Sequence, residues 1–180
     1  MSYCTYCSEE NAKKIHKDYH DNHYGFPIDK DNELFGRLLL EINQAGLSWE
    51  TILKKEENFK RAYSGFDIEE IADYKQSDID RLLEDSGIIR NKLKVKATIT
   101  NAQCFMAIQD EFGSFSKYIW KFTDGKPIKN TFKSMSEIPA NTNLSDTISK
   151  DLKKRGFKFV GTTVIYAHMQ ATGMVNDHIV

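Results

Sequence analysis

The sequence predicts an all-α fold. Apolar residues recur at helical spacing along most of the chain, and no run of strict apolar–polar alternation indicates a strand. The segment GFKFVG, residues 156–161, is too short to build a sheet. A chain of 180 residues can bury one sizeable core, so we expect a single helical domain over residues 1–180.

Composition and charge exclude several classes of protein. The chain is 40% hydrophobic and 28% charged with three prolines, which excludes a disordered or fibrous protein. It has no apolar run near the roughly 20 residues of a membrane span and no secretory signal, so we expect a cytoplasmic protein without membrane contact. The net charge of −1 gives no overall attraction to nucleic acid, but segments 90–96 and 150–158 are strongly basic.

Two consecutive helices are predicted after the N-terminal region. The segment DNELFGRLLLEINQAG predicts an amphipathic helix with Asp31 or Asn32 as its N-cap and Gly46 as its C-terminal stop. Ser48 is placed to cap the next helix. Leu47 is therefore an apolar residue in a very tight corner between the two helices.

A helical pair with a tight turn is predicted over residues 77–112. A short helix begins at Ser77, a hairpin surrounds Gly87, and a long helix follows. The backbone N–H groups of such a turn and the positive end of the second helix suit one phosphate of a nucleic-acid backbone, with charge added by Arg90, Lys92, Lys94 and Lys96. An ordinary helical corner with a solvated basic face fits this stretch equally well.

The C-terminal part is predicted as a loop followed by two helices. Residues 123–143 carry Gly, Pro, Asn and Ser signals of a long loop. The next helix has Ser145 as its cap and Gly156 as its stop, and a last buried helix is closed by Gly173.

Glu41 is the most informative residue of the first helix. It lies on the apolar stripe, at helical spacing from Leu34 and Leu38, where an unpaired carboxylate is costly and no partner is obvious nearby in sequence. Aromatic side chains around an acid can sandwich a flat, electron-poor ring by stacking and cation–π attraction. The candidate aromatics are Tyr6, Tyr19, Tyr24 and Trp49. Each of them, taken singly, fits a plain core position as well.

Soft metal ligands are concentrated at the two ends of the chain. Three cysteines without a secretory signal argue against a disulfide framework. Cysteine and histidine together suit zinc, and ligands from both ends would tie the termini of a small domain. The candidates are Cys4, Cys7, His16, His20, His23 and His178.

Five ordered segments carry a family resemblance that covers the chain from Cys4 to His178. They are YHDNHYGFP, NQAGLSWETILKK, SGIIRNKLKVKATI, LKKRGFKFVGTT and GMVNDH. The chain resembles the 3-methyladenine DNA glycosylase I family, an all-helical branch of the helix-hairpin-helix DNA glycosylases. The resemblance implies a monomeric base-excision repair enzyme that acts on alkylated double-stranded DNA and releases free 3-methyladenine.

The resemblance also implies roles for the aromatic and carboxylate residues. Glu41 is expected to be the pocket acid that hydrogen-bonds the base, with Tyr19 and Trp49 as walls of its pocket. Tyr24 and Tyr6 stand where the family usually has tryptophan, which reduces stacking area. With no protein cation beside it, Glu41 would accept a cationic methylated base and reject neutral adenine.

DNA contacts and a metal site follow from the same resemblance. Gly46 and Leu47 match the wedge that enters the DNA, and the hairpin around Gly87 matches the phosphate grip. A structural zinc is expected on Cys4, His20 and His178. The fourth ligand of the family, a cysteine a few residues beyond the last histidine, has no counterpart here. Its place would be taken by water, by Cys7, or by a cysteine missing from a truncated chain.

Two other functions are also compatible with the sequence. A non-catalytic helix-hairpin-helix DNA-binding module would share the basic segments but has no use for Glu41 in an aromatic pocket. A zinc-dependent hydrolase would need an open metal site with a base beside it.

Overall fold

Helices dominate the computed structural model, which describes residues 3–179. The α-helices are α1 Tyr3–Ser8, α2 Lys14–Asn22, α3 Asp31–Gln44, α4 Trp49–Ala62, α5 Ile68–Ala72, α6 Gln76–Glu84, α7 Lys92–Phe112, α8 Phe115–Trp120, α9 Asn143–Lys154 and α10 Thr162–Ala171. Short 3₁₀ turns cover Ser64–Phe66, Lys121–Thr123 and Met135–Glu137.

The all-α prediction needs one small correction. Strands β1, Ile128–Lys129, and β2, Val175–Asn176, pair in parallel, with Ile128 opposite Val175. The predicted loop over 123–143 therefore contains one strand. A pair of two-residue strands carries too little pattern to be recognised in a sequence. Its consequence is to fix the C-terminal segment beside this loop.

Helix α3 lies at the centre of the hydrophobic core. All of its residues from Leu34 to Asn43 are buried, and it packs against α4, α7, α8 and α10. Because every face of this stretch is covered, a polar side chain on it is held in a fixed environment. Arg37 and Glu41 are the two charged side chains in this position.

The start of α3 differs from the prediction. Lys30 occupies the N-cap position and provides no side-chain cap. The carboxylate of Asp31 instead accepts hydrogen bonds from the backbone N–H groups of Phe115 and Ser116, both at 2.9 Å, in the first turn of α8. Asp31 is therefore a cap for another helix, brought to it by tertiary packing.

The corner between α3 and α4 confirms the prediction. Gly46 adopts a left-handed conformation with φ of +78°, and the Leu47 amide donates to the Gln44 carbonyl at 2.7 Å. The Ser48 hydroxyl accepts from the Thr51 amide at 3.2 Å and caps α4. Leu47 is left 38% exposed at the tip of the corner.

The predicted helical pair is present as α6, a turn and α7. Within the turn, the Gly87 amide donates to Asp85 Oδ1 at 2.7 Å. Asn91 caps α7 by accepting from the Lys94 amide at 3.1 Å. Arg90 and Lys92 are exposed on either side of this cap.

The predicted cap of α9 is shifted by three residues. Thr142 is the N-cap, and Ser145 is the third residue of the helix. The Ser145 hydroxyl accepts from the Thr142 amide at 2.8 Å and completes a capping box. The predicted C-terminal stop at Gly156 follows the helix with φ of +99°.

Candidate functional site

A cavity of about 420 Å³ lies beside α3 and is enclosed by segments from distant parts of the chain. Four of the five residues predicted to form the base pocket line it, namely Tyr19, Tyr24, Glu41 and Trp49. Helix α1, the end of α3, the loop around Met135 and Pro139, helix α10 and the C-terminal segment supply the remaining walls. The size suits a single planar heterocycle with room to spare.

The aromatic walls meet at steep angles. The rings of Tyr19 and Trp49 have centroids 5.3 Å apart and planes inclined at 61°. The ring centroid of Tyr24 lies 6.3 Å from that of Tyr19, with the ring planes inclined at 46°. Burial raises the pKa of the Tyr19 and Tyr24 hydroxyls, so both remain neutral near pH 7. The cavity thus offers flat apolar faces in more than one orientation.

Tyr6 was predicted to line this cavity and does not. Its ring packs edge to face against His16, with centroids 5.5 Å apart, and its hydroxyl accepts from the Lys13 amide at 3.2 Å. Tyr3, one turn earlier on α1, lines the cavity instead. Both tyrosines lie on the same short helix, and its orientation, set by packing against α2, decides which of them faces the cavity.

The carboxylate of Glu41 is buried and unpaired. The residue is 7% exposed, and no hydrogen bond or ion pair reaches its side chain from any residue between 3 and 179. Burial raises the pKa of Glu41 to about 8, although the positive charge of Arg37 opposes the shift. The acid is therefore mostly neutral in the empty cavity at pH 7, within about one pH unit of ionisation.

The expectation that Glu41 has no protein cation nearby is corrected by Arg37. This residue lies one turn before Glu41 on α3, and its guanidinium carbon stands 5.5 Å from the centre of the Tyr19 ring. Its ion pair is formed with Glu56, at 3.3 Å, rather than with Glu41. Arg37 and Glu41 are four residues apart on one helix, a spacing that makes side chains neighbours, so the sequence could have identified Arg37 as a cation near Glu41.

A second buried acid, Asp177, lines the same cavity, but its carboxylate is hydrogen-bonded to other side chains. Asp177 is 1% exposed, and its carboxylate accepts from the Tyr166 hydroxyl at 2.6 Å, Gln170 Nε2 at 2.9 Å and Asn130 Nδ2 at 2.7 Å. The fully bonded Asp177 braces the cavity wall, whereas Glu41 is available to a ligand. The sequence around Asp177 did not indicate this bonding, because its partners come from α10 and the loop before α9.

Cys4, His20 and His178 form a cluster that fits a metal ion. Their ligand atoms all lie within 4.8 Å of one another. His20 Nε2 is buried and has no hydrogen-bond partner in the described part of the chain, while His20 Nδ1 bonds Asp21 Oδ1 at 2.9 Å. This arrangement leaves Nε2 as a lone-pair donor oriented by a carboxylate, as in many zinc sites. The residues therefore fit a zinc ion.

Cys7 is not part of this cluster, contrary to one of the three options for the fourth ligand. Its thiol points to the His16 carbonyl, with a sulfur–oxygen distance of 3.7 Å. His16 itself bonds the Tyr3 hydroxyl, and it also lies outside the cluster.

The residues predicted to contact DNA lie outside the cavity. Gly46 and Leu47 follow Gln44 and precede Trp49, both of which line it, so the corner lies at its edge. Gly87, Arg90 and Lys92 belong to the separate turn before α7. No helix between residues 3 and 179 is long and apolar enough to span a bilayer.

The helical fold and the acid-containing aromatic cavity define a class of helical proteins that bind a flat heterocycle. The comparisons with known proteins identify the family. The model of the methyladenine glycosylase family matches residues 9–180. DNA-3-methyladenine glycosylase 1 of Escherichia coli is 42% identical over 180 residues, which are 100% of this chain and 95% of that protein. The Haemophilus influenzae DNA-3-methyladenine glycosylase is 41% identical over 175 residues, which are 97% of this chain and 95% of that protein.

Solved structures give the same result. A crystal structure of 3-methyladenine DNA glycosylase I is 44% identical with a TM-score of 0.90, covering 96% of this chain and 95% of that one. The Staphylococcus aureus 3-methyladenine DNA glycosylase I, in a structure on 3-methyladenine recognition, is 34% identical with a TM-score of 0.93, covering 99% and 95%. The chain belongs to the methyladenine glycosylase family.

Proposed function

We propose that the protein is a base-excision repair glycosylase that hydrolytically removes 3-methyladenine from alkylated double-stranded DNA. The observation that carries this proposal is Glu41, a buried acid without a protein partner in a cavity walled by Tyr19 and Trp49. An orphan acid in an aromatic cavity is unfavourable in the empty protein and becomes favourable when a cationic ring enters.

The charge of the substrate explains how the cavity selects it. Adenine methylated at N3 in DNA is positively charged, whereas normal adenine is neutral. The acid of Glu41 titrates with a pKa of about 8, so a nearby cation shifts it to the ionised form at neutral pH. The resulting pair of opposite charges in a buried site favours the damaged base. A neutral adenine offers no such compensation.

Cleavage itself needs little help from the protein. The bond between the sugar and the base breaks with both electrons going to the base, so the leaving base becomes neutral and the sugar becomes an oxocarbenium ion. Water attacks the sugar carbon and loses a proton to solvent, which leaves an abasic site. Once a cationic base has shifted it to the ionised form, Glu41 is the unpaired negative group of the cavity, and it contributes by binding this base in the reactive position.

Extraction of the base from the duplex uses exposed parts of the same fold. Leu47 is an apolar side chain at the tip of a stiff corner, which suits insertion into the space that a flipped nucleotide leaves. The turn around Gly87, with Arg90 and Lys92, would hold the phosphate backbone as a helix-hairpin-helix motif. One copy of the chain contains all of these parts, so we infer that it acts as a monomer.

A structural zinc ion on Cys4, His20 and His178 is part of the proposal. The ion would tie α1 and α2 to the C-terminal segment and so stabilise the wall that Cys4 provides to the cavity. Water, or a ligand other than Cys7, would complete the four positions that zinc prefers. The three cysteines are free thiols, which suits the reducing cytoplasm.

Incubation with methylated duplex DNA tests the proposed function. Chromatography of the released bases should find 3-methyladenine in excess over adenine, and the Glu41→Gln variant should release it more slowly. Tight DNA binding without base release would instead indicate a non-catalytic DNA-binding module. Loss of activity on chelation while the fold persists would indicate a zinc-dependent hydrolase.

A further inference from the structure

Arg37 is a buried cation directly behind the wall of the base cavity. It is 9% exposed, and its guanidinium carbon lies 5.5 Å from the centre of the Tyr19 ring. Its Nη1 atom is buried and 3.3 Å from Glu56 Oε1, yet it forms no hydrogen bond within the described residues. One ring and one ion pair therefore hold a group that has unused hydrogen-bonding capacity.

Arg37 and Glu41 face different spaces although they lie on the same helix. Glu41 lines the base cavity, whereas Arg37 and Glu56 line a second cavity of about 480 Å³. No described residue lines both cavities. The position of the guanidinium is thus decided by its contacts with Glu56 and Tyr19, because its place on α3 alone would allow it to approach Glu41.

We propose that Arg37 and Glu56 are positioning residues that set how strongly the pocket acid prefers a cationic base. This inference rests on the proposed function of Glu41. Glu56 holds the guanidinium of Arg37 against Tyr19 and partly compensates its charge. Without Glu56, the guanidinium is free to turn towards Glu41 and to form the ion pair that the cationic base should form.

The surroundings of Glu41 make Arg37 the controlling charge. The other titratable side chains that line the cavity of Glu41 are Tyr3, Cys4, Tyr19, Tyr24, Tyr166 and Asp177. Those that line the cavity of Arg37 are His23, Glu33, Glu56, Glu57 and Lys60, and His168 of α10 also interacts with its charge. Tyr19 and Tyr24 stay neutral near pH 7, as shown above. His168 is buried against the Leu34 carbonyl, and burial lowers its pKa to about 4, so it is neutral as well. Within residues 3–179, Arg37 is the cation that lowers the pKa of Glu41.

The pH dependence of excision tests this inference. The measured quantity is kcat/KM for release of 3-methyladenine from methylated duplex DNA, whose rising limb reports ionisation of the free enzyme. We expect Arg37→Met to move this limb to higher pH, because the cation that lowers the pKa of Glu41 is lost. We expect Glu56→Gln to move the limb to lower pH, because the freed guanidinium approaches Glu41. Each shift should be about one pH unit. The double variant should resemble Arg37→Met, because Glu56 acts through Arg37.

Two further variants separate this role from general stability. Arg37→Lys keeps the positive charge and should leave the limb close to that of the parent protein. Arg81 is a matched control, because its guanidinium carbon lies 5.6 Å from the Tyr74 ring and its Nη2 lies 3.7 Å from Asp78 Oδ1. Arg81→Met should lower the melting temperature without moving the limb.

Specific outcomes would overturn the inference. If Arg37→Met and Glu56→Gln change only the melting temperature and the limb stays in place, the pair is structural. If Arg37→Met fails to fold, the test is the position of the rising limb in Glu56→Gln and Arg37→Lys, which should move to lower pH in the first and stay in place in the second. If the rising limb persists in Glu41→Gln, a group other than Glu41 titrates, and the proposed role of Glu41 is wrong. This outcome differs from failure of the Arg37 inference, in which the limb is lost in Glu41→Gln but does not move in the Arg37 and Glu56 variants.

Discussion

The imidazole rings of His20 and His178 meet edge to face with centroids 4.9 Å apart, although the residues lie near opposite ends of the chain. With Cys4 they form the proposed zinc site. We expect protein purified without chelator to contain about one zinc ion per chain, measured by elemental analysis. Cys4→Ser should reduce this content and lower the melting temperature by several degrees, on the order of 2–4 °C for each kcal/mol lost.

Cys7→Ser is the matched control for the metal prediction. Cys7 lies three residues from Cys4 but outside the cluster, so its replacement should leave the zinc content unchanged. Equal zinc loss in both variants would show that the N-terminal helix as a whole, rather than the Cys4 thiolate, holds the ion. Protein without zinc would contradict the site altogether.

Glu41→Gln should slow excision of 3-methyladenine by roughly ten- to a hundredfold, because the cavity loses the acid that ionises against the cationic base and keeps its shape. Single-turnover release from methylated duplex DNA measures the effect. Glu57→Gln removes an exposed acid of the neighbouring helix α4 and should have no such effect. Unchanged excision in Glu41→Gln would assign this acid a purely structural role.

The stability of the protein should decrease as the pH rises, because of Glu41. Its pKa is about 8 in the folded chain, above the ordinary value of 4.5. Between these values the folded state binds more protons than the unfolded state, so the free energy of unfolding decreases as pH rises. The Glu41→Gln variant lacks this term. The melting temperature of Glu41→Gln minus that of the parent protein should therefore increase from pH 5 to pH 9. A difference that stays constant over this range would contradict the titration of a buried Glu41.

Leu47→Ala should weaken binding to a methylated duplex and slow excision, because the variant cannot fill the space left by the flipped nucleotide. The side chain is 38% exposed, so thermal unfolding should be nearly unchanged. Leu47→Met keeps the length and apolar character and should restore most of the activity. A loss of melting temperature in parallel with activity would point to a folding defect instead.

Lys92→Gln tests the proposed phosphate grip. Removing one phosphate contact should reduce the slope of log affinity against log salt concentration by about one, with binding weakened for damaged and undamaged duplexes alike. Lys117→Gln, on the separate helix α8, serves as the control and should leave the slope unchanged. A change in slope for both would indicate only a general effect of net charge.

Features set by neighbouring residues were predictable from the sequence. The corner formed by Gly46, Leu47 and Ser48 depends on a left-handed glycine and a local cap, and the structure confirms it. The turn around Gly87 is local in the same way. The predicted family is confirmed by the comparisons, because ordered segments along the whole chain carry it.

Features set by distant partners were not predictable. Asp31 is a good local cap signal, but α8 supplies the amides that it binds. Tyr3 and Tyr6 have the same chemistry, and the choice between them depends on how α1 packs. The charge around Glu41 depends on where Arg37 points, which Glu56 decides from another helix.

The unpaired carboxylate of Glu41 also bears on turnover. On the proposed role of Glu41, the purine in the cavity is no longer a cation once the sugar–base bond breaks, so the attraction to this acid is lost at the chemical step. Because burial raises the pKa of Glu41 to about 8 in the empty cavity, we expect the acid then to regain a proton near neutral pH. Product inhibition by the free purine should therefore be weak, and the site is cleared for the next lesion by the reaction that it catalyses.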